Sequence, residues 1–234
     1  MAKLLGRIAA GGGVSYHLRA HVRGASACFA RPDLTSERVS YPVITPSAAR
    51  SLLEAVHWNP AIRWVVDRII LCKPIRFDRV SQDEIGGRSS AQVIRFSRDD
   101  RGDVDLQVEE GPRRRSSLLL RDVDYLIDAH LELTETAVAG ESVAAHCETA
   151  SQKLRQGRFG HQPLLGSREF PAEISLWEGE APTACGELQG EQDLGWILHD
   201  VEFVGFCRSR FFHAVMKDGV IEVPPLAETA LQPG

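Results

Sequence analysis

The chain has few of the patterns by which an active site is usually first recognised. Its five cysteines, Cys28, Cys72, Cys147, Cys185 and Cys207, are scattered, with no CxxC pair and an odd count. Zinc sites need closely spaced thiolates or imidazoles, so this spacing predicts buried free thiols and no metal centre. There is no GxGxxG after a strand, no P-loop and no HExxH, and hence no cofactor is expected. No uninterrupted apolar run approaches the roughly 20 residues that a membrane helix needs. The opening MAKLLGRIAAGGGV is too short in apolar residues and too rich in glycine for a secretory signal. Residues 1–14 are read as a flexible tail, and a cytoplasmic location is the default.

An overall excess of positive charge is also missing. The formal net charge of the 234 residues is −5, against nonspecific coating of nucleic acid. Phosphate contacts depend on where cations sit and not on their sum. Here they cluster: Arg31, Arg38 and Arg50; Lys73, Arg76 and Arg79; Arg113 to Arg115; Lys153, Arg155, Arg158 and Arg168. Acidic residues dominate the last third, which fits one cationic side. With 43% hydrophobic and 25% charged residues, the chain has the composition of a globular protein able to bury a core.

Periodicity supplies the architecture. Tyr16, Leu18, Ala20 and Val22 alternate with His17, Arg19, His21 and Arg23, the period of a half-buried strand. Thr45-Pro46 opens a helix, threonine capping free amides and proline fitting the first turn. Ala49, Leu52, Leu53 and Val56 form its buried stripe, and Asn59-Pro60 ends it. Ile62 to Phe77 reads as a second strand and residues 78–117 as a long hairpin insertion. Arg121 to Leu133 alternates again. A second helix spans about Glu141 to Gln156, stopped by Gly157, and Glu169 to Trp177 adds a strand. The order strand, helix, strand, strand, helix, strand predicts an α+β fold of the ferredoxin-like, RRM-like kind over residues 15–179. Residues 180–234 read as a small β-rich C-terminal part, with a turn at Asp218-Gly219.

Three motifs carry a resemblance. They are CFARPDLTSERVSYPVITPSAARSLLEAVHWNPAIRW from Cys28 to Trp64, HQPLLGSREFPA from His161 to Ala172, and DLGWILHD from Asp193 to Asp200. In that order, within residues 15–225, they resemble the CRISPR-associated "Dvulg" proteins, the type I-C, fifth-class members of the RAMP superfamily. The resemblance implies an endoribonuclease of antiviral defence that cuts CRISPR repeat RNA without metal and stays on the 5′ handle of the crRNA. It further implies pre-crRNA, crRNA and the backbone and large subunits of a type I-C Cascade as partners, target DNA only through that complex, and no membrane.

Such cleavage uses the 2′-hydroxyl as nucleophile and needs proton transfers for which histidine is suited. The family's catalytic set is an aromatic hydroxyl at the end of the first helix and a Lys-His pair early in the second. Those positions correspond here to His57 and to Ala145-His146. The lysine is absent; Lys153, seven residues beyond His146, lies on the same helical face and is the candidate replacement. A fixed cation at developing charge is worth about 100- to 1,000-fold in rate. Ala145 therefore leaves an alternative open, a weak or inactive subunit that only caps crRNA. An unrelated ferredoxin-like metabolic enzyme is disfavoured by the missing cofactor motifs.

For RNA binding the resemblance points to Arg31 and Tyr41, with Phe29, in the segment approaching the 5′ handle, joined by Arg38. Arg50 is placed to hold a phosphate, or else to pair on the helix surface with Glu54, which could orient His57. Arg155, Arg158, Phe159 and Arg168 surround a glycine-rich loop from Gln156 to Gly166, whose glycines would let the backbone approach RNA.

Overall fold

The computed structural model describes residues 16–34, 38–84, 113–204 and 206–231. The 1–14 tail and the middle of the expected insertion lie outside the described residues.

Strand β1 (His17–Ala27) keeps the alternation expected of it, with Leu18, Ala20 and Val22 in the core. After the two-residue β2 (Arg38–Val39), Thr45 caps α1 (Pro46–Val56), its hydroxyl accepting from Ala48 N–H at 3.2 Å. Ala49, Leu52, Leu53 and Val56 are all buried. β3 (Ile62–Leu71) stops earlier than the apolar run suggested. Residues 72–76 turn, and Phe77 begins a separate strand, β4 (Phe77–Glu84). β4 pairs antiparallel with β5 (Arg113–Leu133), from Phe77 opposite Leu120 to Glu84 opposite Arg113. The flanks of the insertion are thus an extended hairpin, and β5 begins within the stretch read as insertion.

Ser142 caps α2 (Val143–Gln156), and Gly157, at φ 62°, closes it in the left-handed conformation. β6 (Glu173–Leu176) is shorter than expected, because residues 164–171 fold back on themselves through a bridge between Leu164 and Pro171. β6, β1, β5 and β3 lie side by side in that order, the ferredoxin-like arrangement of fourth, first, third and second strands. α1 and α2 cover one face, where Leu52, Leu53, Cys147 and Leu154 meet Ile69, Ile127 and Ala129 in one core.

β7 (Glu191–Val204), β8 (Phe206–Lys217) and β9 (Val220–Glu222) continue the same sheet, with β9 pairing β3. Asp218 and Gly219, at φ 48° and 77°, make the tight turn read from sequence. No helix among the described residues is long and apolar enough to cross a membrane.

Gly166 is the glycine the fold depends on most visibly. Its φ is 89°, and a Cβ there would lie 1.9 Å from the carbonyl oxygen of Cys28. The neighbouring Leu165 accepts the Cys28 N–H at 3.1 Å, so the loop is pinned against β1's exit. Gly166→Ala is expected to destabilise the protein by about 3 kcal/mol from left-handed strain and overlap. That lowers the melting temperature by roughly 6–12 °C; an unchanged melting curve would contradict this reading of the loop.

Candidate active site

α1 ends one residue before His57, which caps it in extended conformation (φ −146°, ψ 108°) with its N–H still bonded to Leu53 O at 2.9 Å. That change of direction swings the imidazole off the helix face. The Trp64 indole N–H donates to the His57 carbonyl at 2.9 Å and holds the turn. The imidazole points to α2, where His146 and Lys153 stand two turns apart.

The three side chains form a line. Lys153 Nζ lies 3.3 Å from His57 Nδ1, and His57 Nε2 lies 3.1 Å from His146 Nδ1. Lys153 also donates to Val56 O at 3.2 Å, capping the carbonyl end of α1. Beyond His146, its Nε2 is 3.9 Å from Glu141 Oε1. An ammonium can only donate, so His57 Nδ1 accepts and the His57 proton sits on Nε2. His146 then accepts on Nδ1 and carries its own proton on Nε2, facing outward. His57 is 8% exposed. Burial first, then Lys153 and His146, push its imidazole down to about 4, so it is neutral at physiological pH.

His57, His146 and Lys153 are thus brought together, but the Arg50–Glu54–His57 row expected along α1 is not. Arg50 instead forms an ion pair with Asp200 on β7 and approaches Glu54 at 3.4 Å. Asp200 is buried, so Arg50 is held by the protein's own carboxylate and is not free for phosphate. Glu54 faces Arg50 and does not orient His57; burial raises its carboxyl above the ordinary range. Tyr41 is also corrected: at 3% exposure its ring is core, with the Arg31 guanidinium 5.9 Å from its centroid. Phe29 is buried with it. The glycine loop is corrected likewise, since Gly160 donates to Ala55 O at 2.7 Å and Gly166 abuts Cys28, so protein backbone occupies the close approach.

The other cations remain at the surface. Arg31 pairs with Asp33, Arg155 with Glu178, and Arg38 with Glu169 while bonding Ser167 and lying over Phe170. Exposed pairs of this kind are worth about 0–1 kcal/mol, so phosphate can compete for the arginines. Arg158 and Arg168 are exposed and have no carboxylate partner among the described residues. Phe159 packs partly against the core. The side chains of Arg113 to Arg115 lie outside the described residues.

Sequence reasoning passed over two residues close to this line. Trp58, next to His57, is 67% exposed, a large aromatic face with no core to cover it. Its place in the HWNP motif was a signal, read only as a helix stop. Asp200 gave no usable signal, because its partner Arg50 is 150 residues away.

A family model described as CRISPR-associated protein (Cas_Cas5), of the Cas5d type, matches residues 17–224. The chain belongs to the Cas5d family. It is 41% identical over 213 residues to the CRISPR pre-crRNA endoribonuclease Cas5d of Mannheimia succiniciproducens, covering 89% of this chain and 95% of that protein. To the protein of the same name from Thermus thermophilus it is 36% identical over 226 residues, covering 88% and 91%. Two solved structures share the fold. One is a CRISPR-associated protein (TM-score 0.67, 21% identity, 93% and 97% covered). The other is the uncharacterised SMU1763c of Streptococcus mutans (TM-score 0.63, 20% identity, 92% and 95% covered).

The buried neutral imidazole of this Cas5d-family chain sets a pH dependence. Unfolded, His57 takes a proton near pH 6.5; folded, it resists until about pH 4. The unfolded state binds more protons in that window, so stability is full above pH 6.5 and falls as pH drops toward 4. Wild type is expected to lose about 3 kcal/mol more than His57→Gln across it. Urea unfolding of both proteins at pH 7.5 and 4.5 measures the difference, and parallel losses would contradict it.

Proposed function

We propose that the protein cuts CRISPR repeat RNA through the line Lys153–His57–His146, and that this contact chain carries the assignment. The protein is a pre-crRNA endoribonuclease, a role in keeping with its relatives. In such cleavage the 2′-hydroxyl gives up its proton to water as it attacks the adjacent phosphorus, the bond to the 5′-oxygen breaks, and a cyclic phosphate remains. The leaving 5′-oxygen needs a proton. His146 Nε2 faces outward with one, and donating it would leave an unstable imidazolate unless Nδ1 is reprotonated. His57 Nε2–H lies in place to do that, and Lys153 to restore His57 at Nδ1. The net transfer takes a proton from an ammonium to a far more basic alkoxide. Glu141 steadies the His146 N–H until the substrate displaces it.

Lys153 on this reading supplies from the third turn of α2 what a lysine beside His146 would supply directly. Trp58 offers a stacking face for a base flanking the cut, where each stacked base is worth about 1–3 kcal/mol. Arg158 and Arg168, with Arg31, Arg38 and Arg155 once their weak pairs open, hold the backbone. The protein then stays on the 5′ handle of the crRNA as a subunit of a type I-C Cascade, beside its backbone and large subunits, and meets target DNA only within that complex. The chemistry proposed draws on no metal ion.

One observation favours a second reading, a capping subunit with weak cleavage: an exposed Ala145 stands beside His146 where the resemblance calls for lysine. Cognate repeat RNA with purified protein in EDTA separates the two. A single cut with a cyclic-phosphate end is expected, slowed about 100- to 1,000-fold by Lys153→Ala and at least as much by His146→Ala. No product, or dependence on Mg²⁺, would sink the assignment. A large gain on Ala145→Lys would favour the capping reading.

Phosphate grip is tested separately. Arg158→Ala with Arg168→Ala should weaken binding of uncut repeat RNA and shallow its salt dependence by roughly one to two counterions. An unchanged slope would remove both residues from the interface.

A further inference from the structure

The sheet face turned away from the helices carries polar side chains that the cleavage chemistry does not use. At one end of it, His17 on β1 stands directly opposite His130 on β5, ring centroids 5.6 Å apart. The register of β3 against β5 slips between Val66 and Arg68, and a bulge of this kind re-aims a side chain. The residue re-aimed is Asp67. Its carboxylate lies 2.9 Å from His130 Nδ1 and 3.3 Å from His17 Nδ1. The bulge is fixed from behind by Val223, whose N–H donates to Asp67 O at 2.9 Å.

Two imidazole nitrogens and one carboxylate oxygen therefore converge from three strands, all within 4.8 Å of one another. Tetrahedral zinc with bonds of about 2.0–2.1 Å spaces its donor atoms about 3.3 Å apart, close to the separations present. Outside this triangle, Glu132 Oε1 lies 3.6 Å from His130 Nε2, the carboxylate–imidazole partnership that orients metal-ligating histidines. His17 is under-bonded as it stands. Among the described residues, the one polar contact of its Nδ1 is the 3.3 Å approach to a carboxylate already bonded to His130, so that nitrogen is free to take a ligand. Beside the triangle a cavity of about 240 Å³ opens, lined in part by Asp67, His130, Glu132, Arg63 and His199, with room for a water ligand.

We propose that His17, Asp67 and His130 bind one divalent transition-metal ion, Zn²⁺ being the match for two imidazoles and a carboxylate. Mg²⁺ and Ca²⁺ prefer oxygen-only shells and fit less well. On binding, both rings carry their protons on Nε2, and water from the cavity completes the coordination. The ion ties the start of β1 to the bulge of β3 and the end of β5. It stabilises the fold because the unfolded chain holds no such triangle. The site is independent of the cleavage line, which draws on no metal.

The full chain, stripped with chelator, is titrated with ZnCl₂ by calorimetry and with CoCl₂ by visible absorption. Uptake of one Zn²⁺ per chain at micromolar affinity or tighter is expected, with the visible bands of low-coordinate Co²⁺ and a higher melting temperature. His17→Ala and His130→Ala should each weaken uptake at least about 100-fold, while a His57→Ala/His146→Ala double variant keeps it. The Co²⁺ spectrum of the unmutated chain decides the coordination even where a variant fails to fold. Absence of stoichiometric uptake, uptake that survives both single variants, or uptake lost only in the double variant would each overturn the site.

Discussion

The carbonyl end of α1 is gripped from three sides. Lys153 donates to Val56 O, Gly160 to Ala55 O, and the Trp64 indole to the carbonyl of His57. A helix leaves its last carbonyls unsatisfied, and here α2, the loop after it and β3 each satisfy one. The imidazole of His57 can meet His146 only because this end is fixed, and Lys153 can meet His57 only because its stem already reaches that end. A hydrogen bond from a charged donor is worth about 1.5–3 kcal/mol. The same ammonium thus fastens two helices together and sets the direction of every proton along the line.

Much of the architecture was legible because it is local. Leu18, Ala20 and Val22, and Val123 through Leu131, alternate as half-buried strands must, and Thr45-Pro46 and Gly157 mark helix ends by their backbone chemistry. The reading failed where apolar content misled it. Ile75 and Phe77 prolong the pattern of β3, although Pro74 cannot donate to a ladder and the chain turns there. The joining of β9 to β3 was out of reach because pairing partners far apart leave no periodic trace.

For the site, helical spacing placed Lys153 on the face of His146, and the family resemblance supplied His57. It could not reveal that α1 stops at Val56, which turns His57 away from Glu54 and toward α2. Nor could it show that Asp200 takes Arg50, or that Tyr41 faces inward. Histidines at 17 and 130 and an aspartate at 67 form no motif, because cross-strand register and one bulge bring them together. Charge clusters were visible, yet several of their members are partnered by acids remote in sequence.

β5 runs for 21 residues and is bent once, at Asp122, whose φ is 52°. Its first third is paired with β4 and the rest with β1 and β3. The strand is a lever whose handle is the hairpin and whose fulcrum lies among the central ladder. Load applied to the hairpin travels along covalent bonds through the bend at Asp122 and into the middle of the molecule. A neighbour that seizes the hairpin sets the orientation of the whole body, as a key bit follows its bow.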